Sequence, residues 1–158
     1  MKQSTWLHCC LGFYVWIVES VPLGNWNRQR GERLLIALSN GHGADSDDVF
    51  TLVFVSLPAI LFWIAYRRSS VWFAASALAV DMFWLSMQIR SWWVPYIFGT
   101  MIQWQVDYSK GPTTKILPSF GNHLAPDGMH LLIDILLVGA MIAGIMAIRR
   151  TYTPPSAN

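Results

Sequence analysis

Apolar residues fill four long runs of this chain, and most polar residues collect between them. The runs are "TWLHCCLGFYVWIVESVPL" at 5–23, "VFTLVFVSLPAILFWIAY" at 49–66, "VWFAASALAVDMFWLSMQI" at 71–89 and "HLLIDILLVGAMIAGIMAI" at 130–148. Each is long enough to cross a bilayer, since roughly 17–25 mostly apolar residues span about 30 Å of hydrocarbon as a helix. The pattern predicts an all-α integral membrane protein, an up-down bundle of four transmembrane helices in a single domain over 1–150. The tail after it, 151–158, is expected to be disordered. Pro58 falls inside the second run and is expected to bend it. The first run has many aromatics, carries Glu19 and lacks an A-x-A cleavage pattern. It reads as a retained signal-anchor helix rather than a cleaved signal peptide.

Composition agrees with lipid as the solvent. Of 158 residues, 54% are hydrophobic and only 13% charged, about half the share usual in soluble domains. The net charge of +2, with basic residues scattered in pairs, gives no footprint for nucleic acid. The two cysteines are the adjacent pair Cys9 and Cys10 inside an apolar run, which excludes a disulfide framework between distant segments.

Charge asymmetry sets the expected orientation. Lys2, Arg67, Arg68, Arg149 and Arg150 occupy short segments on the side of both termini. On the other side Arg28, Arg30, Arg33, Arg90, Lys110 and Lys115 are spread out and offset by acids. Short loops weigh most in the positive-inside rule, so both termini are expected in the cytoplasm. The absence of an N-x-[ST] sequon fits a bacterial chain, placed in the inner membrane. Trp6, Trp63 and Trp72 would form an inner aromatic belt; Trp26, Trp92, Trp93 and Tyr96 would form an outer one.

Two outer loops hold most of the remaining chain. In loop one, 24–48, "RGERLLIALSNGHG" reads as a short interfacial helix, and "ADSDD" as the cap and acidic first turn of the second span. The loop at 90–129 opens with the aromatic stretch "RSWWVPYIFGTMIQW", expected to prolong the third span or fold back onto the bundle. Its Trp92, Trp93, Tyr96, Trp104 and Tyr108 would suit docking to a partner or to lipid headgroups.

Charges inside the spans are the candidate chemistry. At about 1.5 Å per helical residue, Glu19, Gln88, Arg90, His130 and Asp134 share the outer third of the membrane, with Asp81 below them near the midplane. Asp127, His130 and Asp134 stand at i, i+3 and i+7 on one helix face, and Asp81, Trp84 and Gln88 repeat that spacing. Charged groups facing lipid are costly, so these should turn inward around an outward-facing polar pocket, with Arg90 opposite Glu19 or Asp134. Asp127 after Pro126 also reads more simply, as a first-turn acid with the proline at the first helical position.

The sharpest alternative is a metal site. His123, Asp127, His130 and Asp134 offer nitrogen and carboxylate ligands suited to zinc or copper. A haem bridging His8 and His130 is disfavoured, because the two lie in spans at opposite membrane faces.

Three functions compete on this reading. The first is binding or transport of a small polar or cationic ligand, coupled to protons through Asp81. The second is an accessory or structural subunit of a membrane complex. The third is a membrane enzyme using the His/Asp metal site on a lipid-borne substrate, although the chain has no HExxH, nucleophile elbow or phosphate loop. Small residues at Gly139, Ala143 and Ala147, and again at Ala140 and Gly144, allow close helix packing, either within the bundle or in a homodimer or larger complex.

A glutamate in the first of four short spans resembles the small multidrug-resistance transporters. The long outer loops and the further carboxylates at Asp81 and Asp134 depart from that pattern, so the resemblance covers Glu19 and the helix count alone.

Overall fold

The computed structural model describes residues 2–20, 46–111 and 114–152. Within them the fold is all-α with five helices: α1 (Lys2–Ser20), α2 (Ser46–Arg68), α3 (Val71–Phe98), α4 (Gln103–Ser109) and α5 (Gly128–Tyr152). The interfacial helix expected in 24–48 lies outside the described residues, as do the side chains of Glu19 and of the Asp47–Asp48 pair. Of the tail, Thr151 and Tyr152 prolong α5, and 153–158 lies outside the described residues.

Two helices, Val71–Phe98 and Gly128–Arg150, are long and apolar enough to cross a membrane. The apolar stretch described in α1, Thr5–Val18, is shorter. Contacts run from α1 to α2, α2 to α3, α3 to α5 and α5 back to α1, so the four long helices close a ring in which α1 and α3 face each other diagonally. The two-residue turn Ser69–Ser70 joins α2 to α3 and makes them antiparallel neighbours, with Ser69 in the left-handed region (φ 48°).

Burial follows an inverted pattern. Trp6, Phe13, Trp63, Trp72, Met82, Phe83, Ile135 and Ile142 are exposed on the outside of the ring, while His8, Asp81, Gln88, Asp127, His130 and Asp134 are buried within it. A water-soluble bundle does the opposite. Two apolar clusters complete the interior. Leu11, Val15, Val18, Val55, Met129, Ile133 and Leu137 form one; Phe62, Ala65, Ala74 and Ala77 form the other.

Small residues on α5 serve the second cluster. Ala140 is buried, and a methyl group at Gly144 would stand 2.7 Å from Cζ of Phe62 and 3.0 Å from Cδ2 of Leu78. Phe62 is a rigid, fully buried ring and cannot yield cheaply. The same methyl at Gly139 would meet nothing within 4 Å. Gly144→Leu is therefore expected to destabilise the fold by about 1–3 kcal/mol through overpacking. Gly139→Ala should leave it unchanged or gain up to about 1 kcal/mol of helix propensity. Thermal unfolding of the two variants in detergent checks the contrast.

The third run extends further than its hydrophobic pattern indicates. After Gln88 the helix passes through a π turn, Ile89–Trp93, and resumes over Val94–Phe98. Gly99 ends it in the left-handed region (φ 68°), its N–H bonded to the Pro95 carbonyl at 2.9 Å. A side chain at Gly99 would also collide with the His123 ring, 2.9 Å away, so this position demands glycine twice over. Beyond it α4 folds back against the π turn.

Candidate functional site

Polar residues meet inside the ring at two levels. The lower level is a single pair. Nε2 of His8 on α1 lies 2.7 Å from Oδ2 of Asp81 on α3, the imidazole N–H donating to the carboxylate across the diagonal of the ring. Both side chains are buried, and the Phe62 ring covers the imidazole at 4.7 Å between centroids. Oδ1 of Asp81 is buried with no hydrogen-bond partner among the described residues. A buried polar atom left in that state is rare and costly, which makes it the atom most in need of explanation here.

The upper level surrounds the π turn. The turn carries Trp92 inward, where its ring lies 3.7 Å from that of His130, and brings Trp93 to α5, where Nε1–H donates to Oδ2 of Asp134 at 2.7 Å. Oδ1 of Asp134 is also buried without a partner among the described residues. About two turns before it, Asp127 is the N-cap of α5. Its Oδ1 accepts from the His130 backbone N–H at 3.0 Å and from His130 Nδ1 at 2.8 Å, and its Oδ2 accepts from the Tyr108 hydroxyl of α4. Burial alone would raise the Asp127 carboxyl. The hydrogen bonds and charge of His130, joined by the Tyr108 hydroxyl, outweigh it and hold the group below the usual carboxylate range.

Proline and glutamine fasten α4 to this level. An α-helix would offer the Ser91 carbonyl the N–H of residue 95, but Pro95 has none. Nε2 of Gln105 donates to that carbonyl instead, at 2.7 Å, while Oε1 of the same side chain accepts from the Ile102 N–H at 2.9 Å and caps α4. The buried Gln105 thus places Tyr108 over Asp127, and Trp92 makes edge-to-face contacts with both Trp104 and Tyr108.

Several sequence expectations change here. Asp127 is a cap with Pro126 one residue outside it, so the helix begins at Gly128 and not at the proline. Trp92 is buried and so leaves the outer belt, while Trp93, Tyr96 and Tyr108 are half-buried, Trp104 is exposed, and these aromatics pack partly on one another. Arg90 is exposed and makes no ion pair among the described residues; the indole of Trp93 takes the position beside Asp134 expected of it. Gln88 is buried at the π turn's entry, and Glu19 cannot be placed by its side chain.

The four residues offered as metal ligands have separate partners. Nδ1 of His123 lies 2.7 Å from the Tyr96 carbonyl, Asp134 is bonded to Trp93, and Asp127 and His130 are bonded to each other. Among the described residues no three His, Cys, Asp or Glu side chains converge on a metal position, so the zinc or copper site expected from their spacing does not assemble there.

Residues that the spacing left out are as important: His8 for Asp81, Trp93 for Asp134, Tyr108 and Gln105 for the cap. His8 carried a signal, because an ionisable residue in a spanning run is by default a site or a partner of one. Comparison with family models, with curated proteins and with solved structures finds no match to this chain.

Proposed function

We propose that this chain spans the bilayer four times with both termini in the cytoplasm, and that it binds or transports a small polar or cationic ligand coupled to protons at Asp81. The inverted burial pattern supports the membrane assignment, because exposed apolar rings and buried acids suit hydrocarbon outside the ring and polar groups within it. Arg67 and Arg68 in the α2–α3 turn and Arg149 and Arg150 near the end of α5 support the orientation.

One observation carries the functional part. Asp81 and Asp134 are buried carboxylates on two facing helices, each with one oxygen hydrogen-bonded and the other without a partner among the described residues. No lysine or arginine among the described residues neutralises either. Carboxylate oxygens left open in this way suit a proton or a cationic group, and the imidazole beside Asp81 can pass a proton to and from it. The Asp127–His130–Tyr108 network differs, because both oxygens of Asp127 are occupied. It ties α4 to the start of α5 as a fixed structural element.

Proteoliposomes loaded with a pH-sensitive dye test the proposal, using sodium, potassium and small alkylammonium ions as probes. Addition of at least one probe should drive proton release from the wild-type vesicles, and Asp81→Asn, which keeps the hydrogen bond to His8, should abolish it. Proton release that persists at the wild-type rate in Asp81→Asn rejects the assignment.

A further inference from the structure

We propose that the groove between α1 and α2 is a site for one anionic phospholipid of the cytoplasmic leaflet, its phosphate on Arg67 and Arg68 and an acyl chain running along α1. This rests on the four-span topology proposed above, and goes beyond it.

Two cavities lie along the α1–α2 seam, and a third adjoins them around Arg67 on the α2–α3 side, where Phe73 closes it. One of about 450 Å³ is bounded by Trp6, Cys9, Trp63 and Arg67. It shares Cys9 with a second of about 460 Å³, which continues past Gly12 and Phe13 to Ala59 and Ile60. It shares Trp63 and Arg67 with a third of about 400 Å³ that reaches Arg68. From Trp6 to Trp16 the row follows about 15 Å of helix axis, the scale of an acyl chain that reaches the bilayer midplane. Gly12 keeps the floor low between the two helices.

Charge identifies the head of the occupant. Along the chain direction the walls are mostly apolar, interrupted by His8 and Ser56, and the guanidinium groups stand at one end only. Neither Arg67 nor Arg68 pairs with a carboxylate among the described residues, and Arg67 is held over the Trp63 ring at 5.5 Å, at the mouth of the first cavity. Indoles of Trp6 and Trp63 at the same end suit the headgroup level of a bilayer. An apolar channel parallel to the helices with cations at its membrane-surface end complements a phospholipid of net negative charge, whereas a zwitterionic one would bring its own cation to the arginines.

Native mass spectrometry of the full chain in detergent reads the site. Dioleoyl phosphatidylglycerol should be retained in preference to dioleoyl phosphatidylcholine, which has the same chains. Arg67→Gln and Arg68→Gln should each lower that retention roughly fivefold, as expected for one lost cation at a charged lipid surface. Ala59→Trp, which fills the groove, should lower retention of both lipids. Equal retention of the two lipids by the wild type, or undiminished retention in the arginine variants or in Ala59→Trp, overturns the site. A C-terminal fluorescent-protein fusion reads the topology separately. A cytoplasmic C-terminus with no lipid preference rejects the lipid site alone; an external one rejects the topology and the assignment to the cytoplasmic leaflet.

Discussion

His8→Leu is expected to destabilise the folded protein by about 3–5 kcal/mol, and adding Asp81→Leu to recover most of that loss. The reason lies in what a single substitution leaves behind. With the imidazole gone, Asp81 sits at zero exposure with neither oxygen hydrogen-bonded, one turn from the buried Ala77 of its own helix. An uncompensated charge in such surroundings is far more costly than the pair, whose mutual attraction roughly offsets the desolvation of both members. Replacing both by apolar residues of similar size removes the demand altogether, and the double variant should approach or exceed wild-type stability. Equilibrium unfolding in mixed micelles of the two single variants and the double variant gives the coupling energy. If the pair makes no special contribution to the fold, the single losses will add.

The second large effect is at the cap of α5. Asp127→Ala removes the acceptor for the His130 backbone N–H, for Nδ1 of His130 and for the Tyr108 hydroxyl together. Loss of an N-cap alone costs about 1 kcal/mol, and each buried donor left unsatisfied adds about 1–3 kcal/mol. Since the three act as one network, a total of about 3 kcal/mol or more is expected, below the sum of the parts. Asp127→Asn keeps the cap and should lose only about 1–2 kcal/mol.

The pH dependence has a definite sign. The native Asp127 carboxyl lies below its ordinary value of about 3.9, so the unfolded chain takes up the proton first as pH falls. The stabilisation is complete above the unfolded value and disappears as pH drops through the native one. The stability gap between wild type and Asp127→Asn should therefore be flat from neutrality to about pH 4 and narrow below it. A gap that stays flat below about pH 4 would contradict this sign.

How much of this was legible in the sequence varies by level. Hydrophobic run length located the four long helices, because a stretch such as 130–148 admits no other economical structure at that hydropathy. Helical spacing placed Asp127, His130 and Asp134 on one face, and the structure buries all three. The partners were hidden for a physical reason. Spacing within one helix says nothing of which residue on another helix faces it, so charge alone points to Arg90 as a neighbour of Asp134. The π turn decided otherwise. An extra residue in one turn of α3 shifts the helix face, leaving Arg90 outside and turning Trp92 and Trp93 inward. Nothing in "IRSWW" announces that extra residue except the proline two positions on. Spacing likewise hides that Asp127 caps its own helix, which keeps it from converging with His123 and Asp134 among the described residues.

The central claim is that the paired side chains in the middle of the ring move protons and do not merely hold the helices together. The double variant His8→Leu/Asp81→Leu separates the two, because it should fold as well as the wild type while lacking both titratable groups. Reconstituted beside the wild type in dye-loaded vesicles, it is predicted to show the wild-type unfolding profile and no cation-driven proton release. A folded double variant that still releases protons at the wild-type rate would contradict the account.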